Sequence, residues 1–227
     1  LGPLPESIRP GHPTAECGAV ALASLEAAVG VVERGEADAL VTAPLNKDLV
    51  ARRAARFRGH TEWLAEQAGI DDPTMLFAAP RSGAGAGGAD IALLSTHLPL
   101  ATALGLVRTS TVARMLARVD RQWSERFGRR PRIGVAALNP HAGEAGRLGS
   151  EESRVLAPAI RAARDEGVDA TGPFPADSVF LRDGIDVILA LYHDQGTIMA
   201  KRAPWPTVNL TLGLPYVRTS PDHGTAY

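Results

Sequence analysis

Three histidines in this sequence follow apolar runs. His97 comes after "IALLST", His141 after "RIGVAALNP" and His193 after "IDVILALY". Short apolar runs of this kind read as buried strands, so each imidazole falls just past the C-terminal end of a strand. In open α/β sheets that edge is where ligands bind. Imidazoles converging there suit zinc, cobalt, nickel or iron(II), whereas manganese and magnesium favour oxygen ligands. Three protein ligands leave a coordination position for substrate or water, as catalytic metal sites require. A lone histidine is more often a half-buried residue with both nitrogens satisfied. The repetition at three equivalent strand ends is what favours a shared site.

Other polar residues fall at element ends. "VTAPLNK" puts Asn46 and Lys47 just past a strand, and "GHTEW" puts His60 and Thr61 at a helix start. Free N–H groups at such a start attract anions, although plain helix capping accounts for these residue types equally well. Asp177 in "GPFPAD" either takes part in chemistry or caps the short helix that follows. Lys201 and Arg218 are cations of a kind usually found in solvent. Trp63, Trp123 and Trp205 read as packing residues. The "GAGAGG" run matches G-x-G-x-x-G through Gly83, Gly85 and Gly88, but a strand-like "ADIALLST" follows it. A dinucleotide loop must instead open a helix, so the run is expected to be a linker between strands.

The positioning elements are legible from pattern. Helices are expected over 14–35 with Thr14 as N-cap, over 45–54, 60–69 and 108–128, and over 150–167 with Ser150 as N-cap. Strands are expected over 37–44, 74–79, 89–96, 132–138, 185–191 and 207–213. Apolar strands alternating with helices imply an α/β fold, a mostly parallel sheet flanked by helices on both faces. The 227 residues are 45% hydrophobic with a formal net charge of -1, which gives no basic excess for nucleic acid. Cys17 is the single cysteine, so neither a disulfide framework nor a cysteine zinc site is available, in keeping with a cytoplasmic protein. No apolar run reads as long enough to span a membrane.

Taken in order, "VTAPLNK", "GHTEWLA", "STHLPL", "LNPHAGEAGRLGSEE", "GPFPADSVF", "YHDQG" and "VNLTLGLPYVRTSPDHGTA" resemble the 4-hydroxythreonine-4-phosphate dehydrogenase family of pyridoxal phosphate biosynthesis. The resemblance covers residues 14 to 227. It implies an isocitrate/isopropylmalate dehydrogenase-like two-domain fold, with residues 1–227 forming one family region of two interleaved α/β subdomains around a cleft. It implies a homodimer with a divalent metal (Zn, Co, Mn or Mg) held by His97, His141 and His193 at a site shared between subunits. His60, Thr61, Lys201, Asn209 and Arg218 match the family's substrate contacts. Asp222, His223, Gly224 and Thr225 match a loop that holds NAD or NADP. The implied reaction oxidises the secondary alcohol of a phosphorylated 3-hydroxy acid, 4-phosphooxy-threonine, and then decarboxylates the 3-keto product. Lys201, Asp177 and Asp194 are the candidate bases.

The family's N-terminal strand and "GDPAGIGPE"-like segment, and its stretch beyond "DHGTA", are not found here, so the chain is expected to be truncated at both ends. Relatives differ in substrate, which leaves threonate or erythronate phosphate and cyclic dihydrodiols as alternatives. A metal-dependent hydrolase and a catalytically silent chain are the other readings. The adenosine-loop match favours a dehydrogenase over a hydrolase.

Overall fold

A computed structural model describes residues 8, 9, 11–80, 88–203 and 207–221. The chain divides into two compact units. The first comprises the residues up to Pro73 together with those from Val208 onward; the second runs from Thr74 to Thr207.

In the first unit, helix α1 (Ala15–Glu33) starts where Thr14 accepts a hydrogen bond from the Cys17 N–H. Strand β1 (Ala39–Val41) follows. Helix α2 (Lys47–Ala51) is capped by Asn46, which accepts from Leu49 N at 3.1 Å, so this asparagine does the work of a cap. Helix α3 (His60–Gln67) begins at His60, as its sequence suggests. Near the chain's other end lie β7 (Val208–Leu212) and β8 (Val217–Ser220). The sheet order within this unit is β1-β8-β7, with β1 and β8 parallel and β8 and β7 antiparallel. Leu25, Val29 and Val32 of α1 pack with Leu40, Val50, Phe57, Leu64, Leu214 and Tyr216 to form the core.

Contrary to the expectation for a membrane span, α1 is long and apolar enough to cross a bilayer by length and composition, with a mean hydropathy of 1.6 over its most apolar window. Alanine raises that mean while offering little area to bury. The core helix of a globular unit passes the same test, and the large side chains of α1 do line the core.

The second unit contains β2 (Thr74–Ala78) and β3 (Asp90–Leu93), paired antiparallel. The element after the glycine-rich run is therefore a strand; Gly83 and Gly85 themselves lie outside the described residues. Helices α4 (Leu100–Leu104) and α5 (Thr109–Phe127) lead to β4 (Ile133–Ala136). Then come a π-helix (Glu152–Leu156), α6 (Ala157–Asp165), β5 (Ala170–Phe174), β6 (Val187–Ala190) and α7 (His193–Arg202). The order is β2-β3-β6-β4-β5, and β3, β6, β4 and β5 are mutually parallel. Strands β3, β4 and β6 are buried along their whole length, as strands covered on both faces must be. Ile91 and Leu93 pack with Ala200 of α7, while Asp90, on the opposite face, meets Trp123 of α5.

The sequence reading differs from the structure at several places. The helix expected over 150–167 is present, but it runs as π-helix over Glu152–Leu156 before continuing as α6 from Ala157, with Pro158 in its first turn; Ser150 meets its start through its backbone carbonyl, which accepts from Arg154 N at 2.8 Å, and not through a side-chain cap. A proline has no N–H to give, which breaks the helical hydrogen-bond ladder there. Glu151 and Glu152 at the helix start reach back to Asn139 and Leu138. Strand β5 went unread because Gly172 and Pro173 interrupt its pattern; proline is tolerated because β5 is an edge of its unit's sheet order. The "HDQG" segment, which falls just past a strand and within no expected helix, opens α7.

Trp123 is fully buried, and its indole N–H donates to Asp90 Oδ2 at 2.7 Å, while Asp90 Oδ1 accepts from Ala79 N at 2.9 Å. Trp123→Phe removes a donor from a buried carboxylate. We expect a loss of about 1–3 kcal/mol, read as a lower urea midpoint with an unchanged slope.

Candidate functional site

His97, His193 and His141 follow β3, β6 and β4, which are consecutive neighbours in a parallel array. Side chains tie the three strand ends together. Ser95 Oγ donates to Leu191 O at 3.1 Å, joining the β3 end to the β6 end. Gln195 accepts from Leu191 N at 2.7 Å and donates to Ala137 O at 2.8 Å, joining the β6 end to the β4 end. Neither brace was singled out in the sequence. Their signal was a polar residue placed at the close of an apolar run, in "LLST" and "YHDQG".

The His97 and His193 rings have their centroids 5.2 Å apart. Asp194 Oδ1 lies 2.7 Å from His193 Nδ1, which leaves Nε2 as the nitrogen free to face outward. Gly196 lets the first turn of α7 press onto β3, since a Cβ at this position would collide with the Leu93 side chain. His141 lies in a short helical turn, Pro140–Gly146, of unusual hand: φ is positive at His141, Ala142, Gly143, Glu144 and Ala145. Among the described residues, no group of three or more His, Cys, Asp or Glu side chains stands ready to hold a metal ion. The histidines thus share a sheet edge, with two of their rings close together. Of the candidate bases, Lys201 is exposed in the last turn of α7, and Asp177 is exposed before a short 3-10 helix, Val179–Leu181. Asp194 is engaged with His193.

In the first unit the notable group is Arg218, only 2% exposed. Register places it opposite Thr211 on β7 and Leu40 on β1. Its Nη1 donates to Thr211 Oγ1 at 3.1 Å and its Nη2 to Thr42 Oγ1 at 2.8 Å, while Nε has no hydrogen-bond partner among the described residues. Asn209, two residues before Thr211 on the same face of β7, has a buried Oδ1 that also lacks one. Burial pushes the Arg218 pKa down to about 10, against the opposing pull of Glu62. His60 is held neutral, its pKa lowered to about 4 by burial and then by the charges of Arg218 and Lys47. A buried guanidinium held by neutral hydroxyls is a strong recognition group for a carboxylate or phosphate. Thr61 is the second residue of α3, where backbone N–H groups have no partner within the helix. Asp222, His223, Gly224 and Thr225 lie outside the described residues.

The depressed pKa of His60 has a sign that can be measured. Below pH ~6.5 the unfolded chain takes up a proton that the folded chain refuses until about pH 4, so this histidine makes folding less favourable as pH falls through that window. An NMR titration is expected to place His60 near 4 and to move it upward, though not back to an exposed value, in Arg218→Met.

A family model described as "Pyridoxal phosphate biosynthetic protein PdxA" matches residues 2–227. A 4-hydroxythreonine-4-phosphate dehydrogenase of Bradyrhizobium diazoefficiens is 42% identical over 227 residues, covering 96% of this chain and 64% of the relative. The chain thus spans a little under two thirds of that protein's length. The crystal structure of 4-hydroxythreonine-4-phosphate dehydrogenase from Klebsiella pneumoniae superposes with a TM-score of 0.85 at 37% identity, covering 98% of this chain and 67% of that one. A terephthalate 1,2-cis-dihydrodiol dehydrogenase from Burkholderia xenovorans superposes at 0.65 with 29% identity, covering 98% and 70%. With its motifs in register and the family model matched over almost its whole length, the chain belongs to the PdxA family.

Proposed function

We propose that the chain is the core of a metal-dependent NAD(P) dehydrogenase that oxidises 4-phosphooxy-threonine at its secondary alcohol, with loss of CO₂ from the 3-keto acid. The observation that carries this reading is the placement of His97, His193 and His141 directly after three neighbouring parallel strands. The dehydrogenase names of the family's members support it. These three histidines would hold a divalent ion, with zinc and cobalt suited to imidazole. When bound, such an ion supplies a Lewis acid that acidifies an alcohol and polarises a ketone. NAD or NADP supplies the hydride acceptor.

The chain's own residues have definable tasks. Asp194 holds the His193 ring through Nδ1, which leaves Nε2 as the nitrogen that would take the metal. Arg218 and Asn209 offer an N–H and a carbonyl, each without a partner among the described residues, to an acidic, polar substrate. His60, neutral at physiological pH, adds a hydrogen bond rather than a charge. Thr61 adds a hydroxyl beside it. Lys201 brings a flexible cation for the carboxylate or phosphate, or in its neutral form a proton acceptor. Asp177 is the alternative base. A homodimer sharing the metal site and a cytoplasmic location complete the reading. Buried Arg218 favours an anionic substrate over an uncharged one, but threonate or erythronate phosphate presents the same groups.

The test is nicotinamide reduction with 4-phosphooxy-threonine, with and without added Co²⁺ or Zn²⁺, in the native chain and in His193→Ala. We expect metal-dependent NADH or NADPH formation that falls to background in the variant. Faster turnover of a four-carbon acid phosphate would reassign the substrate. Metal-dependent hydrolysis without nicotinamide would overturn the dehydrogenase reading.

A further inference from the structure

The turn that carries His141 has the wrong hand for L-residues. His141 (φ 53°, ψ 30°), Ala142 (53°, 42°), Gly143 (78°, -1°), Glu144 (46°, 54°) and Ala145 (56°, 31°) are consecutive left-handed residues, and four of them have side chains. Left-handed helical backbone costs roughly 1–2 kcal/mol for each such residue. A run of this kind persists only where its surroundings over-determine it.

The over-determining group is Glu152. It is 6% exposed and is the first residue of the π-helix. Its Oε1 accepts from Leu138 N at 3.0 Å and from Asn139 N at 2.7 Å, the last two backbone N–H groups before the turn. Its Oε2 accepts from Asn139 Nδ2 at 2.9 Å. The same Oε2 lies 2.7 Å from where a Cβ on Gly143 would be, so the middle of the turn rests directly on the carboxylate. Glu151 holds the other side, accepting from Asn139 Nδ2 at 2.7 Å and Ser150 N at 3.0 Å, and Leu148 N closes the loop onto Gly143 O at 3.1 Å. Among the described residues no cation pairs with Glu152, so hydrogen-bond donors alone satisfy its charge. A carboxylate used only as filler would not meet both the entry and the middle of one strained turn.

We propose that Glu152 is a positioning residue for His141. Its buried carboxylate locks the left-handed turn onto the end of β4 and thereby sets the direction in which the imidazole leaves the sheet. The consequence for metal binding rests on the reading of His141 as a ligand; the positioning itself does not.

The test compares the native chain with Glu152→Ala, Glu152→Gln and Gly143→Ala. Trp123→Phe is the control for lost stability in the same unit. In metal-free protein, histidine ring NMR signals are recorded; Co²⁺ affinity is then measured by calorimetry. In Glu152→Ala and Gly143→Ala the His141 signals are expected to shift and broaden while those of His97 and His193 hold. Co²⁺ affinity should fall about 10- to 100-fold, as for loss of a group that orients a metal ligand. Glu152→Gln keeps one acceptor oxygen and should stay within a few-fold of the native chain. Unchanged His141 signals in Glu152→Ala would overturn the proposal, as would an equal disturbance in Trp123→Phe. Should Glu152→Ala not fold, Gly143→Ala and Glu152→Gln decide. Failure of the native chain to bind Co²⁺ would remove the metal reading and leave the ring signals to judge the positioning.

Discussion

The second unit depends on the hydrogen-bonded register of β3, β6 and β4. Parallel strands in adjacent register run the same way, so whatever follows each is delivered to the same edge. Backbone pairing alone brings His97, His193 and His141 to one rim. It leaves open where each imidazole points, which falls to the residues just past the strand ends. Ser95 and Gln195 bind one strand end to the next, and Asp194 holds one ring. Gly196 contributes by lacking a side chain, which lets α7 start flush against β3.

In the first unit the governing constraint is desolvation. Arg218 keeps its charge with no carboxylate of the described residues in hydrogen-bonding reach, held by two threonine hydroxyls on the flanking strands. A charge buried this way is costly to fold around, and natural chains keep such groups where an anion is to be recognised. The same field, added to burial, keeps His60 neutral. Thr42 and Thr211 are therefore part of the cation's setting, although as lone threonines within apolar runs they carry no sequence signal of their own.

Much of this was legible in the sequence. The apolar runs that became β3, β4 and β6 stand out because strands buried on both faces leave little room for polar residues. Thr14 and the long amphipathic α5 were equally plain. Legibility failed where tertiary contacts override local preference. Nothing local distinguishes Glu152 from a first-turn acid, because its role is set by Leu138 and Asn139, far back in the chain. Strand β8 is not among the expected strands: it carries Arg218, a residue type usually found in solvent, and becomes a strand where β1 and β7 pair on either side of it. The strand-end rule foresaw the histidines' shared edge. It could not foresee the left-handed turn, since alanine and glutamate, which fill three of its five left-handed positions, do not favour that backbone.

That turn has a stereochemical consequence. Over five residues the backbone follows the path that D-amino acids would choose, in a molecule made of the opposite enantiomer. Positions 142 and 145 are therefore filtered by chirality before chemistry is considered: alanine is tolerated, and glycine or asparagine would be at ease. Valine or isoleucine, branched at Cβ, would push the chain back toward its native hand and take His141 with it.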